Sequence, residues 1–442
     1  MTCLPGAPAA PGIAERSATA DVPPSSLARE LNRWLPGPTQ ALLLVLIAAG
    51  LVRVLWLSSP DNTLIFDELY YVNAARTMIG LPVPDGAPYA GSVVGLDPNR
   101  EHPPLGKVLI AGSMLVLGDT PFGWRLPSLV AGMASLVLID ALVRAAGGEA
   151  WLGVLAVALF ALDNLALVHS RIGTLDMLLT ALLLLAAWCA LRGWSVRAGL
   201  ACGLATLIKL SGAYGLLAIA AFTVGETCWS WRTTHRLAVR PTLGRLVLLT
   251  AAFALTWFGG LWVLDRQVTT FPAPWDHVRY MLQYGLELAR AQGPANSESA
   301  PWQWLLNEVQ IPYLRIDSQV LVNGELTETR PIVFFRGAMN PIVIGAAPLA
   351  LAYALWLAWR NGDRLALWIV AWLVGTYLPF YPLDLLAHRI AYLFYFLPTL
   401  PAVVAGIALL LRRSGLPGFV TAGYLVGALL GFLAYYPFRQ LM

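Results

Sequence analysis

Charge is scarce in this sequence. Asp, Glu, Lys and Arg make up 12% of its 442 residues, about half of the roughly 25% carried by a soluble globular chain. An ordinary soluble domain is therefore excluded. Cysteine and histidine are sparse too, at four and five residues. Cys3 lies in an N-terminal tail, and Cys189, Cys202 and Cys228 lie within or beside apolar stretches, so the spacing carries no disulfide framework. No HExxH, CxxC, phosphate-binding loop or GxSxG string occurs, so nothing points to those hydrolase, redox or nucleotide chemistries. The formal charge of +4 comes without the Lys/Arg cluster that nucleic acid would need. No apolar signal-peptide core precedes the first span. The Pro-, Ala- and Ser-rich start reads as a disordered cytoplasmic tail over residues 1–37, and 38–442 as one membrane domain.

What the chain has instead is apolar residues in blocks. They make up 58% of the sequence, and stretches such as Ala41–Leu51, Leu175–Leu191 and Leu246–Leu264 reach or approach the ~20 residues of a bilayer crossing. The fold class expected is an all-α polytopic membrane protein. Spans are expected near 39–58, 123–145, 150–169, 173–192, 196–210, 212–228, 244–264, 339–359, 365–382, 389–411 and 416–436, about eleven crossings by this hydropathy reading. Arg144, Arg192, Arg197, the run from Arg232 to Arg245, Arg360, Arg364, Arg412 and Arg413 then collect on one side, the cytoplasmic one. The N-terminus falls inside and two long loops, about 59–122 and 265–338, fall outside. Leu105–Gly118 is too short to cross comfortably and reads as an interfacial or re-entrant helix. Val196–Cys228 is too long for one span, and charge placement favours two helices broken around Lys209–Gly212. Asn323-Gly324 in the second loop is a two-residue hairpin signal.

The polar residues that remain gather at the outer face. Asp67-Glu68 follows the first span amid aromatics. As a plain helix start it suits the positive helix N-terminus. As chemistry, two carboxylates about 100° apart on a helix let one face a substrate while the other holds a neighbour. Glu101-His102-Pro103-Pro104-Leu105-Gly106-Lys107 pins His102 at a helix entry, since prolines disfavour helix just before them. Arg171, Lys209 and Arg389 sit at the outer ends of apolar segments. Snorkelling to headgroups explains each singly; an anionic headgroup held in a pocket explains all three. Ser297-Glu-Ser299-Ala-Pro301-Trp302-Gln-Trp304 offers an interfacial aromatic anchor or an acceptor lid.

Taken in order, these strings resemble the protein O-mannosyltransferase family, glycosyltransferases of the GT-C fold. The carrying residues are Asp67-Glu68, His102–Lys107, Asp163–Asp176, Lys209–Gly212, Ser299–Trp304, Gly337–Pro341 and Arg389–Leu400. They run from about residue 40 to 410, nearly all of the membrane part. The family's long lumenal insert has no room in the second loop, which points to a bacterial-type member. Related aminoarabinose transferases usually have Lys where His102 stands.

The resemblance implies a polyprenyl-phosphate sugar donor, with mannose as the sugar, and Ser/Thr hydroxyls of exported proteins as acceptors. It places the enzyme in the plasma membrane with its site on the extracytoplasmic face. A phosphate ester leaves without a general acid, so one base suffices: Asp67, with Glu68 orienting. Attack opposite the phosphate inverts the anomeric centre. Arg171 and Lys209 would stabilise the departing phosphate, with His102 and Arg389 in support and Trp302 and Trp304 at the acceptor. No metal ligand set or certain cofactor is written in the sequence, though the acidic pair is compatible with a divalent cation. Transfer of another sugar to a lipid or envelope glycan is one alternative, and an anionic-lipid transporter is another; the latter would place its polar groups near the midplane.

Overall fold

A computed structural model of the chain describes residues 36–287, 299–322 and 325–438. The N-terminal tail to residue 35, Ser297-Glu298 and the Asn323-Gly324 turn lie outside the described residues. The chain runs α1 Pro38–Val54, α2 Glu68–Ile79, α3 Leu105–Leu117, α4 Pro121–Ala145, α5 Ala150–Ala161, α6 Asn164–His169, α7 Leu175–Leu191 and α8 Ser195–Ile208. A 3-10 turn, Leu210–Ala213, leads into α9 Tyr214–Thr234, α10 Val239–Val268, α11 Pro274–Glu287 and α12 Pro301–Leu306. The strands β1 Ile311–Val322 and β2 Glu325–Gly337 precede α13 Pro341–Gly345, α14 Ala347–Asn361, α15 Arg364–Thr376, α16 Phe380–Leu385, α17 Leu400–Arg413 and α18 Gly418–Tyr435.

Among the described residues, five stretches are long and apolar enough to cross a bilayer: α4, 210–234, α10, 364–385 and α18. Shorter apolar helices, among them α1, α5, α7 and α8, fill the other stretches read as spans. Their starts are written locally. Thr120 accepts from Gly123 N–H at 3.2 Å with Pro121 next in line, and Asp363 accepts from Ala366 N–H at 2.8 Å, each satisfying an orphan donor of a first turn. The bundle then packs through small residues. Gly199 and Gly203 on α8 leave no room for a Cβ, which at Gly203 would meet Thr256 of α10 at 2.6 Å. Arg364 donates to Ala145 O and Leu191 O, 2.8 Å each, and to Glu226 at 2.6 Å. One guanidinium thus caps the C-termini of α4 and α7.

The short helix and the break at Lys209 both appear where the sequence put them. Helix α3 has 13 residues, about 20 Å at the usual rise, short of the roughly 30 Å hydrocarbon layer. The α8–α9 break falls at Lys209, which is extended (φ −155°, ψ 139°). The helical membrane class holds, with one β hairpin added in the second loop. The second loop folds β1 and β2 into an antiparallel two-stranded sheet whose base buries Ile311, Tyr313, Val333 and Phe335.

Candidate active site

The chain leaves α1 and turns into α2 through Phe66, whose φ of +55° is a conformation a bulky side chain adopts only when its surroundings hold it. The hold is aromatic. Tyr313 of β1 stacks on the Phe66 ring at 3.9 Å, and Phe394 meets it edge-on at 5.4 Å. Tyr313 is itself fixed by His169, whose Nε2 lies 2.9 Å from the Tyr313 hydroxyl while Nδ1 lies 3.2 Å from Thr174 Oγ1. Phe66 therefore aims the next residue, Asp67.

Asp67 and Glu68 have separate tasks. Glu68 is fully buried and accepts from Arg125 at 2.8 and 3.0 Å, from Ile65 N–H at 2.8 Å and from Gly173 N–H at 2.7 Å. Arg125 adds bonds to the carbonyls of Leu57, Ser59 and Thr63. The pair welds the first loop to α4 and to the turn before α7. Asp67 is left half-buried with a hydrogen bond to Tyr71. Burial lifts its carboxyl to about 7, against the pull of Lys209 and helped by Asp176. A carboxyl poised near neutrality suits proton transfer.

Lys209 acts on Asp67, and Arg389 lies near His102. Lys209 sits at the helix break with Nζ 2.8 Å from Asp176 Oδ1 and lies over the rings of Phe394 (5.0 Å) and Tyr395 (4.7 Å). Arg389 approaches the same ground and, with Lys209 and Lys107, pushes His102 well below the usual imidazole range, after burial as the main cause. Arg389 Nε is buried with no hydrogen-bond partner, and its guanidinium forms no ion pair with a described carboxylate. His102 is thus a neutral hydrogen-bonding group near Tyr71, ring to ring 5.9 Å. Lys107 is spent on structure. It pairs with Asp97 at 2.7 Å, bonds the Asn99 carbonyl and reaches His102 O at 2.8 Å.

Two expected site residues fall elsewhere. Arg171 is 2% exposed and donates to Val52 O and Leu55 O at 2.6 Å each, with Phe438 under the guanidinium at 5.3 Å. It caps the end of α1, so its terminal nitrogens are not free for a phosphate. Trp304 is fully buried, bonded through Nε1 to Ser299 Oγ at 2.7 Å and hemmed by Tyr377, Phe380 and Phe396. It has no face for an acceptor. Trp302 is 43% exposed and no contact joins it to Asp67. Asp163 and Asn340 are architectural, the Asn340 N–H donating to Asp163 at 2.9 Å and its amide to Leu162 O and Ala428 O.

Sequence reasoning missed four participants. Arg125 carried a signal, a cation inside an apolar span. Asp176 was visible in its motif without a role. Tyr71 and Tyr313 gave none. Among the described residues no three His, Cys, Asp or Glu side chains group as a metal site.

Comparison with known proteins bears on the fold and the family. Residues 101–258 match the family model described as dolichyl-phosphate-mannose-protein mannosyltransferase. The polyprenol-phosphate-mannose–protein mannosyltransferase of Corynebacterium glutamicum is 26% identical over 85% of this chain and 83% of that protein. Its counterpart from Mycobacterium tuberculosis is 26% identical over 83% and 80%. Among solved structures, the Saccharomyces cerevisiae protein O-mannosyltransferase Pmt1-Pmt2 complex bound to the sugar donor superposes with a TM-score of 0.68 at 11% identity, over 91% of this chain and 90% of that one. ArnT from Cupriavidus metallidurans bound to undecaprenyl phosphate gives 0.53 at 19% identity, over 88% and 63%. Together these likenesses support reading this multi-pass membrane chain as a protein O-mannosyltransferase of the GT-C fold.

Proposed function

We propose that this enzyme transfers mannose from a polyprenyl-phosphate donor to Ser/Thr hydroxyls of exported proteins, inverting the anomeric centre. The observation that carries the reading is the Asp67 carboxylate, lifted to about 7 and set within reach of the Lys209 charge. The acceptor hydroxyl gives its proton to Asp67 as its oxygen attacks the anomeric carbon. The bond from that carbon to the phosphate oxygen breaks, and the electron pair leaves with the phosphate. Lys209 keeps donors beyond its bond to Asp176, and the Arg389 guanidinium has no partner among the described residues; both meet the growing charge. His102 adds a neutral hydrogen bond. Glu68 acts through Arg125 as a positioning residue.

A retaining path needs a second carboxylate free to act as nucleophile. Asp176 is engaged by Lys209 at 2.8 Å, which favours inversion. Orientation follows from the arginines. Arg144, Arg364, Arg412 and Arg413 lie at the end of the bundle opposite Asp67, and the positive-inside rule makes that end cytoplasmic. The site then opens on the outer face of a bacterial plasma membrane.

The test is purified protein with a polyprenyl-phosphate-mannose donor and a Ser/Thr peptide. The expected product is a peptide one hexose heavier, with an anomeric configuration by NMR opposite to the donor's. A product with retained configuration would remove the single-base reading.

A further inference from the structure

The hairpin's two edges differ. The β2 edge is covered by the C-terminal stretch, where Val333 bridges to Phe438 and Phe334 N–H donates to Pro437 O at 2.7 Å. The β1 edge receives no backbone hydrogen bond from any described residue other than those of β2. An uncovered edge is a template for another strand.

The groups on that edge can be assigned. Phe334 turns its N–H away from β1, so its pair with Arg315 is a non-hydrogen-bonded one in the ladder. In such a pair both residues turn their backbone groups outward. Arg315 therefore presents N–H and C=O on the free side. Two residues earlier stands Tyr313, buried and stacked on Phe66 beside Asp67. The register breaks at Tyr313, which has no partner between Leu314 and Pro312. The bulge turns that ring inward onto Phe66. Two residues span at most roughly 7 Å, so the free edge ends at Arg315, close to the residue that holds Asp67. The strand also carries little to repel a partner of either sign there, since the Arg315 side chain is balanced by Asp317 at 2.8 Å.

We propose that the free edge of β1 at Arg315 docks the acceptor as an added strand, an extended polypeptide pairing main chain to main chain and laying a hydroxyl side chain at Asp67. The inference rests on the transfer reaction proposed above. Main-chain pairing reads an unfolded backbone and leaves side chains largely unread, with alternate residues turned toward and away from the site. Such an edge would accept hydroxyls in many sequences, and only in unfolded segments. Folded proteins have already spent those backbone groups.

The test uses the unaltered protein in detergent, the mannosyl donor and a set of Ser/Thr peptides N-methylated at single backbone positions. Methylation at alternate positions flanking the acceptor residue is expected to raise peptide KM tenfold or more, with the positions between them near the unmodified value. Donor KM is expected to stay constant throughout. Arg315→Pro, which removes the outward N–H, is expected to raise peptide KM similarly with donor KM unchanged. Equal KM for every methylated peptide, with transfer still occurring, would overturn the docking strand alone. No transfer to any peptide would overturn the reaction on which it rests.

Discussion

Arg125 grips both carboxylate oxygens of Glu68, at 2.8 and 3.0 Å, and neither side chain reaches solvent. Removing one partner of such a pair leaves the other charge buried and costs about 3–5 kcal/mol. Glu68→Gln and Arg125→Met are each expected to lower the thermal midpoint sharply and reduce turnover. The double variant should recover stability without recovering activity. A thermal scan and an initial-rate assay on the same preparations check this; additive losses of stability would contradict the pairing.

Asp67 gives two linked pH effects. As a base it works ionised, so kcat should climb with pH and level off above about 7, where its carboxyl titrates. The same shift has an opposite sign for stability. A carboxyl raised from 3.8 to about 7 by folding opposes folding once ionised, an effect absent at pH near 4 and complete above 7. Asp67→Asn should therefore raise the thermal midpoint at pH 8 and leave it unchanged at pH 4. An unchanged midpoint at pH 8 would argue against the buried, raised carboxyl.

The two cations first assigned alike should now separate. Lys209→Ala is expected to raise donor KM and lower kcat by at least tenfold, since it faces Asp67 and the phosphate position. Arg171→Met is expected to lower thermal stability by freeing the carbonyls of Val52 and Leu55, while the folded fraction keeps its donor KM. Donor titration monitored by intrinsic Trp fluorescence reads both. A donor-binding defect confined to Arg171→Met would reverse the assignment.

The tryptophans should divide likewise. Trp304→Ala empties a core site and is expected to cost about 3–5 kcal/mol. Trp302→Ala, on an exposed ring, should shift stability by less than about 0.5 kcal/mol. Chemical denaturation in detergent compares them.

These pairs also mark what was legible beforehand. The apolar stretches were, because burial in lipid is written residue by residue. So was the break at Lys209, because span length and charge placement each forbid a single helix there. Asp67 and Glu68 stood out by their loop, yet their division of labour depended on Arg125, 57 residues away. Arg171 misled for a definite reason. A cation at a helix end can serve a phosphate or cap a carbonyl, and only the fold shows α1 ending beside it. Tyr313 was invisible, a lone aromatic on a strand whose partner Phe66 lies across the chain. The hairpin itself was announced by its turn, but an all-helical class left it no structural weight.

The most direct measurement is single-turnover release of polyprenyl phosphate and mannosyl peptide by purified wild-type protein and Asp67→Asn. The account predicts full turnover by the wild type and a loss of at least a hundredfold in the variant, with donor affinity preserved. Turnover by Asp67→Asn close to wild type would contradict it.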